Sequence, residues 1–412
     1  MTTRANAPAI TEATVIELSQ RFGEPDWLLQ RRLDALRAYE AMSMPNPLDE
    51  AWRRTDLSRV DFDEALAGTG DASSKLRTED LPKGVVFSDL SKAASAHEAL
   101  VQQHLHNLVK PSEWKLGALQ AAAWQGGALV HVREGIEVAV PLTYAVRQNG
   151  APLLSHLLIV AEPNSSVTVI RESTGEAPSG WSLASGAVEI VAKADSRVRF
   201  VDLQRMGAGG VAAFSTIRAH LDRGAELSAA LIGLGGTLTR TKLEVTLAGE
   251  GSRAEMLGLE FGTGKQHFDY ITLQDHVAPR TSSDLFFKAA LDDESSAVWN
   301  GTARIQKTAS ASEANQISRN LLLSEHAKAA PIPILEIEAY DVLRCSHGAS
   351  AGPIDEEQRF YLESRGIPPA EAEQLLVEAF FREVLDRLPV GVDLETLEKD
   401  IAAKLERGAD GV

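Results

Sequence analysis

Four short segments constrain this chain more than anything else in it. Asn164 begins NSSVTVI, Asp195 begins DSRVRFV, Gly224 begins GAELSAALI and Gly251 begins GSRAEMLGL, and the starts are separated by 31, 29 and 27 residues. Each opens on a residue suited to a tight turn, passes one or two small or polar residues, and becomes an alternating strand. A period near 30 in strand-rich sequence indicates a solenoid whose coils are each too thin to bury a face alone, so that only stacking makes a core. A sandwich is the competing architecture, and its strands recur about every 8–12 residues without the longer period. An aromatic content of only 6% favours the solenoid, because a narrow interior is filled by Val, Ile, Leu and Ala.

Helical sequence flanks this texture on both sides. In residues 1–120, ITEATVIELSQRF and DWLLQRRLDALRAYEAM place Leu28, Leu29, Leu33, Leu36 and Tyr39 at helical spacing. Pro45 and Pro47 interrupt the pattern, and SKAASAHEALVQQHLHNLV resumes it. His104 and His106, two apart, are expected on different faces of that helix as surface or core residues. In residues 346–412, Asp355 reads as an N-cap, EEQRFYLES as a short helix and Gly366 as its stop. Pro368 and Pro369 open a second helix with Leu376, Phe380, Val384 and Leu388 on its apolar face, and DLETLEKDIAAKLER makes a third. The expected architecture is mainly β: a parallel β-helix core over residues 121–345, an N-terminal helical region (1–120) and a C-terminal helical domain (346–412).

The net charge of −17 argues against nucleic acid or an anionic membrane surface, both of which need clustered Lys and Arg. No uncharged apolar run approaches about 18 residues, and MTTRANAPAITEATVIEL lacks the apolar stretch of a secretory signal. A single cysteine excludes an intrachain disulfide and any self-contained Cys₂ or Cys₄ metal site, and it suits a reducing compartment. A soluble cytoplasmic protein is expected. Between Asp355 and Arg407 there are 14 acidic against 7 basic residues, which fits either a solvated surface or a docking face for a basic partner.

Tests for resident chemistry fail in most places. GLEFGTGKQ (Gly258–Gln266) has its leading glycine out of register for a phosphate loop and Gln266 where a Mg²⁺-binding hydroxyl belongs. Gly233, Gly235 and Gly236 read as turn glycines rather than a dinucleotide loop. GxSxG and HExxH are absent. A polysaccharide-active enzyme on a β-helix is the alternative that fold alone permits. What remains is RCSHG, with Cys345 and His347 two apart. A lone cysteine is most often a small buried hydrophobe, yet Arg344 and His347 beside it favour the thiolate. In an extended segment the two side chains share a face and converge like two ligands of an incomplete metal site. A transition metal wants about four ligands, so the others must come from another chain or from a substrate such as sulfide. Incompleteness points to a subunit interface.

The stretch RCSHGASAGPIDEEQRFYLESRGI closely resembles the C-terminal signature of the SufB/SufD family of FeS-cluster assembly proteins of the SUF system, in its SufD form. GEPDWLLQRRLDAL with AWRRTDL resembles the family's N-terminal region, and VWNGTARI with NQISRNLLLSEHAKAAPIPILEIEAYDV resembles the strands leading into the signature. The SufB form reads Glu-His-Glu-Ala-(Ser/Thr) where this chain has Cys345-Ser-His347-Gly-Ala. Pro353 departs from the polar or basic residue common there. The resemblance implies a right-handed parallel β-helix with flanking helices, and a non-catalytic subunit in a complex with SufB and the ABC-type ATPase SufC, with a homodimer when SufB is absent. It implies that ATP is bound by SufC, and that the isolated chain has no resident cofactor. A nascent FeS cluster, or iron, would be held transiently at the SufB interface by His347, with Cys345 beside it, and the subunit would aid iron acquisition. The C-terminal helices would dock SufC, with Asp355, Glu356, Glu357, Phe360, Tyr361, Arg365 and Phe380 as candidate contacts.

Overall fold

Turn geometry sets the coil. In the computed structural model, which describes residues 10–46, 48–68, 71–77, 81–176 and 180–409, Asn164, Asp195, Gly224 and Gly251 all adopt positive φ (58°, 59°, 64° and 71°). That left-handed conformation is open to Gly and tolerated by Asn and Asp. Each of these residues donates its backbone N–H to the turn of the next coil, Asn164 to Ala194 O at 3.0 Å and Asp195 to Arg223 O at 2.8 Å. The turns therefore stack as the strands do. The first nine residues and Pro47, which bear on the signal and helix-break readings, lie outside the described residues.

Helices α1 (Glu12–Phe22), α2 (Asp26–Ala41) and α3 (Phe62–Ala67) come first, followed by strands β1 (Asp71–Arg77) and β2 (Val85–Asp89) and helices α4 (Leu90–Ala96), α5 (Glu98–His104) and α6 (Lys115–Ala123). Strands then succeed one another: β3 (Gly126–Val132), β4 (Leu142–Asn149), β5 (Leu153–Ala161), β6 (Ser166–Glu176), β7 (Ser182–Ala192), β8 (Arg197–Met206), β9 (Val211–Leu221), β10 (Glu226–Gly233), β11 (Leu238–Leu247), β12 (Arg253–Gly262), β13 (His267–His276), β14 (Ser282–Leu291), β15 (Ser296–Ile305), β16 (Glu313–Leu322), β17 (Lys328–Ile337) and β18 (Arg344–Pro353). Helices α7 (Glu356–Ser364), α8 (Pro369–Leu385) and α9 (Leu394–Ala409) follow.

From β4 onward the even-numbered strands stack in parallel into one nine-stranded sheet, sheet A, whose first strand is β1; the odd-numbered strands from β3 stack into a second, sheet B, whose first strand is β2. This is the β-solenoid the repeat predicts. Its register is the one read from sequence: Ser166 pairs with Arg197, Arg197 with Glu226 and Glu226 with Arg253.

Two differences stand out at the ends. β1 and β2 arise within the region read as helical and pair antiparallel with β4 and β3. They are short and lack the 30-residue period, so nothing in the repeat announces them. At the other end the solenoid runs past residue 345, through β18 to Pro353. A third difference lies in SKAASAHEALVQQHLHNLV, which forms two helices rather than one, broken at His97. α5 ends at His104 because a competitor takes the next amides. The fully buried Glu189 carboxylate accepts from the N–H of His106, Leu108 and Val109 at 2.7, 2.7 and 3.0 Å. His104 is buried, and His106, half-buried, packs its ring 5.0 Å from that of His156.

Both faces of each sheet are covered along most of the length. Inward residues such as Leu157, Val188, Phe200, Leu243 and Met256 fill the solenoid. The outer face of sheet B, including Leu158, Leu183 and Phe214, packs against the N-terminal helices. The outer face of sheet A, including Val201, Leu257, Leu259 and Phe286, packs against Val377, Phe381, Val384, Leu397 and Ile401 of α8 and α9. Two-sided burial explains why strands such as RAEMLGLEFG read as nearly continuous apolar runs.

Candidate functional site

β17 and β18 are the outermost strands of their sheets. Neither has a further coil stacked on it among the described residues. β18 pairs in parallel with β16, setting Cys345 opposite Ala314 and His347 opposite Gln316. Ala314 and Gln316 are inward residues, 1% and 0% exposed. Cys345 and His347 therefore share the inward face, as the two-residue spacing predicts. Around them the end is apolar and open, with Ile334, Ile337, Tyr340 and Leu343 exposed.

The two side chains differ in surroundings. Cys345 is half-buried against the cluster of Ala303, Ile305, Ala309 and Ala314. That burial pushes its thiol pKa up. The expectation that Arg344 and His347 favour the thiolate is thus not met: the apolar pocket outweighs them, and Arg344 is exposed on the alternate face. His347 is exposed on the inner lip of the coil. No group of three or more His, Cys, Asp and Glu side chains is arranged to hold a metal ion among the described residues.

Beneath the lip the solenoid interior changes character. Gln316 and Gln274 lie amide to amide at 2.9 Å, and Gln274 Nε2 donates to Ser283 Oγ at 2.7 Å. His276 is fully buried, with its ring nitrogens 2.7 Å from Thr281 Oγ1 and Ser283 Oγ. Burial holds its pKa down to about 4, so the imidazole is neutral at neutral pH. None of these residues was singled out from sequence. Their signal is polarity at inward positions of the strands nearest the end, visible only once strand parity is known.

The C-terminal candidates fall into two groups. Asp355 caps α7, accepting from the N–H of Glu357 and Gln358 at 2.9 and 3.4 Å. Glu356 pairs with Arg359 at 2.6 Å. Phe360 and Tyr361 stand 70% and 56% exposed, and the Arg365 guanidinium lies 5.0 Å over the Tyr361 ring. Asp355, Glu357 and Tyr361 line a shallow groove of about 480 Å³ with Gln358, Leu362 and Leu376. Phe380 is different. It is half-buried, 5.4 Å from the Phe381 ring, with the Lys288 ammonium 4.5 Å over its face, and so it fastens α8 to the solenoid. The glycines of the two rejected nucleotide motifs also resolve as structure: Gly258 lies within β12 and Gly264 in a turn at φ 60°, while Gly233 ends β10 and Gly236 adopts φ 81° in the turn after it.

Fold and site define a helix-covered β-solenoid with an unsealed end that presents a cysteine and a histidine. The family described as SUF system FeS cluster assembly, SufBD core domain, matches residues 144–380, and the chain belongs to it. Over 94% of its length the chain is 29% identical to the iron-sulfur cluster assembly protein SufD of Bacillus subtilis (strain 168), covering 95% of that protein. It is 27% identical to iron-sulfur cluster assembly SufBD family proteins of Staphylococcus saprophyticus and Staphylococcus epidermidis, covering 94% of this chain and 91% of each relative. The polysaccharide-active alternative gains no support from these matches. No helix among the described residues is long and apolar enough to cross a membrane.

Proposed function

We propose that this chain is the non-catalytic SufD-type subunit of a cytoplasmic FeS assembly scaffold, joined end to end with a SufB-type β-helix and served by a SufC-type ATPase. The observation that carries this reading is the pair Cys345 and His347, projecting on one inward face from a terminal strand that no further coil covers among the described residues. Two donors make half of an iron site, and a second chain stacked on the open end is placed to complete it. The cluster is cargo: it forms across the junction and leaves.

Within the pair, His347 is the ligand and Cys345 is secondary. Neutral imidazole binds iron without losing a proton, whereas the Cys345 thiol must ionise against a pKa that burial has raised. Docking of the ATPase falls to the exposed face of α7, where Phe360 and Tyr361 supply uncovered aromatic surface of the kind that dominates interfaces. Phe380 acts in docking only by anchoring α8 to the solenoid.

The test replaces each residue by alanine in the intact complex, confirms composition, and measures cluster delivered to an apo-protein. His347→Ala loses most of the delivery and Cys345→Ala less. Full delivery by His347→Ala with loss in Cys345→Ala reverses the assignment, and two silent variants make the pair structural. For docking, deleting residues 355–412 would also strip the cover from sheet A. The cleaner probe is Phe360→Ala with Tyr361→Ala, which leaves the fold intact and reduces ATPase co-purification.

A further inference from the structure

The outer face of sheet A carries a hydrogen-bonded polar column. Ser228, Glu255, Asp284, Asn315 and Ser346 occupy equivalent positions on β10, β12, β14, β16 and β18, each paired in register with the next. Their side chains are linked. Ser228 Oγ donates to Glu255 Oε2 at 2.9 Å, Asn315 Nδ2 donates to Asp284 Oδ1 at 2.8 Å, and Ser346 Oγ donates to Asn315 Oδ1 at 2.8 Å. The two carboxylates, stacked on adjacent coils, repel each other unless a cation lies between them. Arg387 supplies it: Nη2 donates to Glu255 Oε1 at 2.9 Å and to Asp284 Oδ2 at 2.6 Å. Arg387 lies just beyond α8, in the C-terminal helical domain, and its cation also rests 5.3 Å from the Phe286 ring.

Every link has one direction. Asp284 uses one oxygen for Arg387 and the other for Asn315, which fixes the Asn315 amide with its NH₂ toward Asp284 and its oxygen toward Ser346. Ser346 lies between Cys345 and His347 and points to the opposite face. Holding it on the outside fixes the roll of the strand and aims its two neighbours at the inner lip. Among the described residues, the other side-chain hydrogen bond from the coil beneath reaches the β18 backbone rather than a side chain, Asn320 Nδ2 donating to the Ser350 carbonyl at 2.9 Å.

We propose that Arg387, Asp284 and Asn315 are positioning residues that couple the C-terminal helical domain to the strand bearing Cys345 and His347. A displacement of α8 by a docked partner releases or tightens Ser346, and with it the aim of His347. The functional consequence rests on the reading of His347 as a cluster ligand; the mechanical linkage does not.

The test is hydrogen exchange of the β18 amides in the full chain, for Arg387→Gln, Asn315→Ala and the double variant. Arg205→Gln is the control, because it breaks the 2.7 Å bridge to Asp400 that also ties the C-terminal domain to the solenoid but lies outside the column. Arg387→Gln and Asn315→Ala each speed β18 exchange by roughly three- to tenfold, the equivalent of one hydrogen bond lost. The double variant goes no further than the larger single effect, and Arg205→Gln leaves β18 unchanged. Unaltered β18 exchange in Arg387→Gln, additive effects, or an equal response in the control overturns the linkage. Should Arg387→Gln fail to fold, Ser346→Ala removes the last link without touching a charge, and the same exchange increase is required of it. In the intact complex Arg387→Gln also lowers cluster delivery at unchanged composition. If β18 exchange responds as stated while His347→Ala delivers clusters at full rate, the linkage stands and the ligand reading falls.

Discussion

β14 and β18 belong to the same sheet and occupy equivalent coil positions, yet their sequences share almost nothing. β14 reads SSDLFFKAAL, with Leu285, Phe287, Ala289 and Leu291 inside the solenoid and Phe286 and Ala290 outside under α8 and α9. β18 reads RCSHGASAGP and is largely exposed. One inward column shows the change: Phe200, Ala229, Met256 and Leu285 are followed by Gln316 and then His347. A coil with neighbours on both sides gains by burying apolar atoms. Among the described residues the last coil has no neighbour above it and gains nothing from a large hydrophobe there, so its side chains are free to be selected for chemistry. Stability and reactivity are separated along the solenoid axis.

The comparison breaks first where the covered region is weakened. Phe381 is fully buried, 5.9 Å from Phe261 of β12. Phe381→Ala costs about 3–5 kcal/mol in denaturant unfolding, as for other buried aromatics. A loss under about 1 kcal/mol would mean that α8 covers sheet A without stabilising it.

A pH titration probes the interior next. His276 and His267 are held down to about 4, His276 by burial and His267 by burial with Arg59 and Arg240 nearby. An unfolded histidine titrates near 6.5, so between those values the unfolded chain binds more protons than the folded one. Stability is fully present above about pH 6.5 and falls as the pH drops toward 4, by about 1.4 kcal/mol per pH unit for each histidine. Urea midpoints from pH 7 to 4.5 show this slope, and His276→Gln lowers it by one proton. An unchanged slope in that variant would show that His276 is protonated inside the fold.

The two regions were not equally legible. The coils could be read because turns needing positive φ draw on Asn, Asp and Gly, and those residues mark each repeat at a constant place before the strand. Parity then put Cys345 and His347 on one face without any structure. The end of the solenoid was misplaced because β18 lacks the apolar alternation that burial enforces elsewhere. β1 and β2 escaped because they are short and stand outside the 30-residue period. The column from Ser228 to Ser346 was present at the fifth position of the aligned segments beginning at Gly224 and Gly251, and it continues at Asp284 and Asn315. Its meaning depended on Arg387, which arrives from the turn after α8, more than a hundred residues later than the first two. Long-range ion pairs of that kind leave no local pattern.

Turn residues give opposite signs at two coils. Asn164→Ala, at φ 58°, costs about 1 kcal/mol, because alanine adopts the left-handed region only under strain. Ala311, at φ 52° before β16, already bears that strain, so Ala311→Gly stabilises by up to about 1 kcal/mol. Thermal melts of the two variants should move in opposite directions. Movement in the same direction would mean that loop contacts, rather than backbone strain, govern the turns.

The smallest effect on the chain itself belongs to the open end. Tyr340 is fully exposed and Leu343 is 67% exposed. Neither gives up much burial on unfolding, so Tyr340→Ser with Leu343→Ser shifts the stability of the isolated chain by no more than about 0.5 kcal/mol per site. Joined to a second β-helix, the same side chains lie in the junction, where a few buried aromatic and aliphatic anchors carry most of the affinity. The double variant is therefore expected to melt as the unmutated chain does when alone and to lose partner binding by a large factor. A substantial loss of stability in the isolated chain would show that this end is already covered in solution. In that case the melting temperature of the unmutated chain rises with its concentration, because a second copy occupies the end.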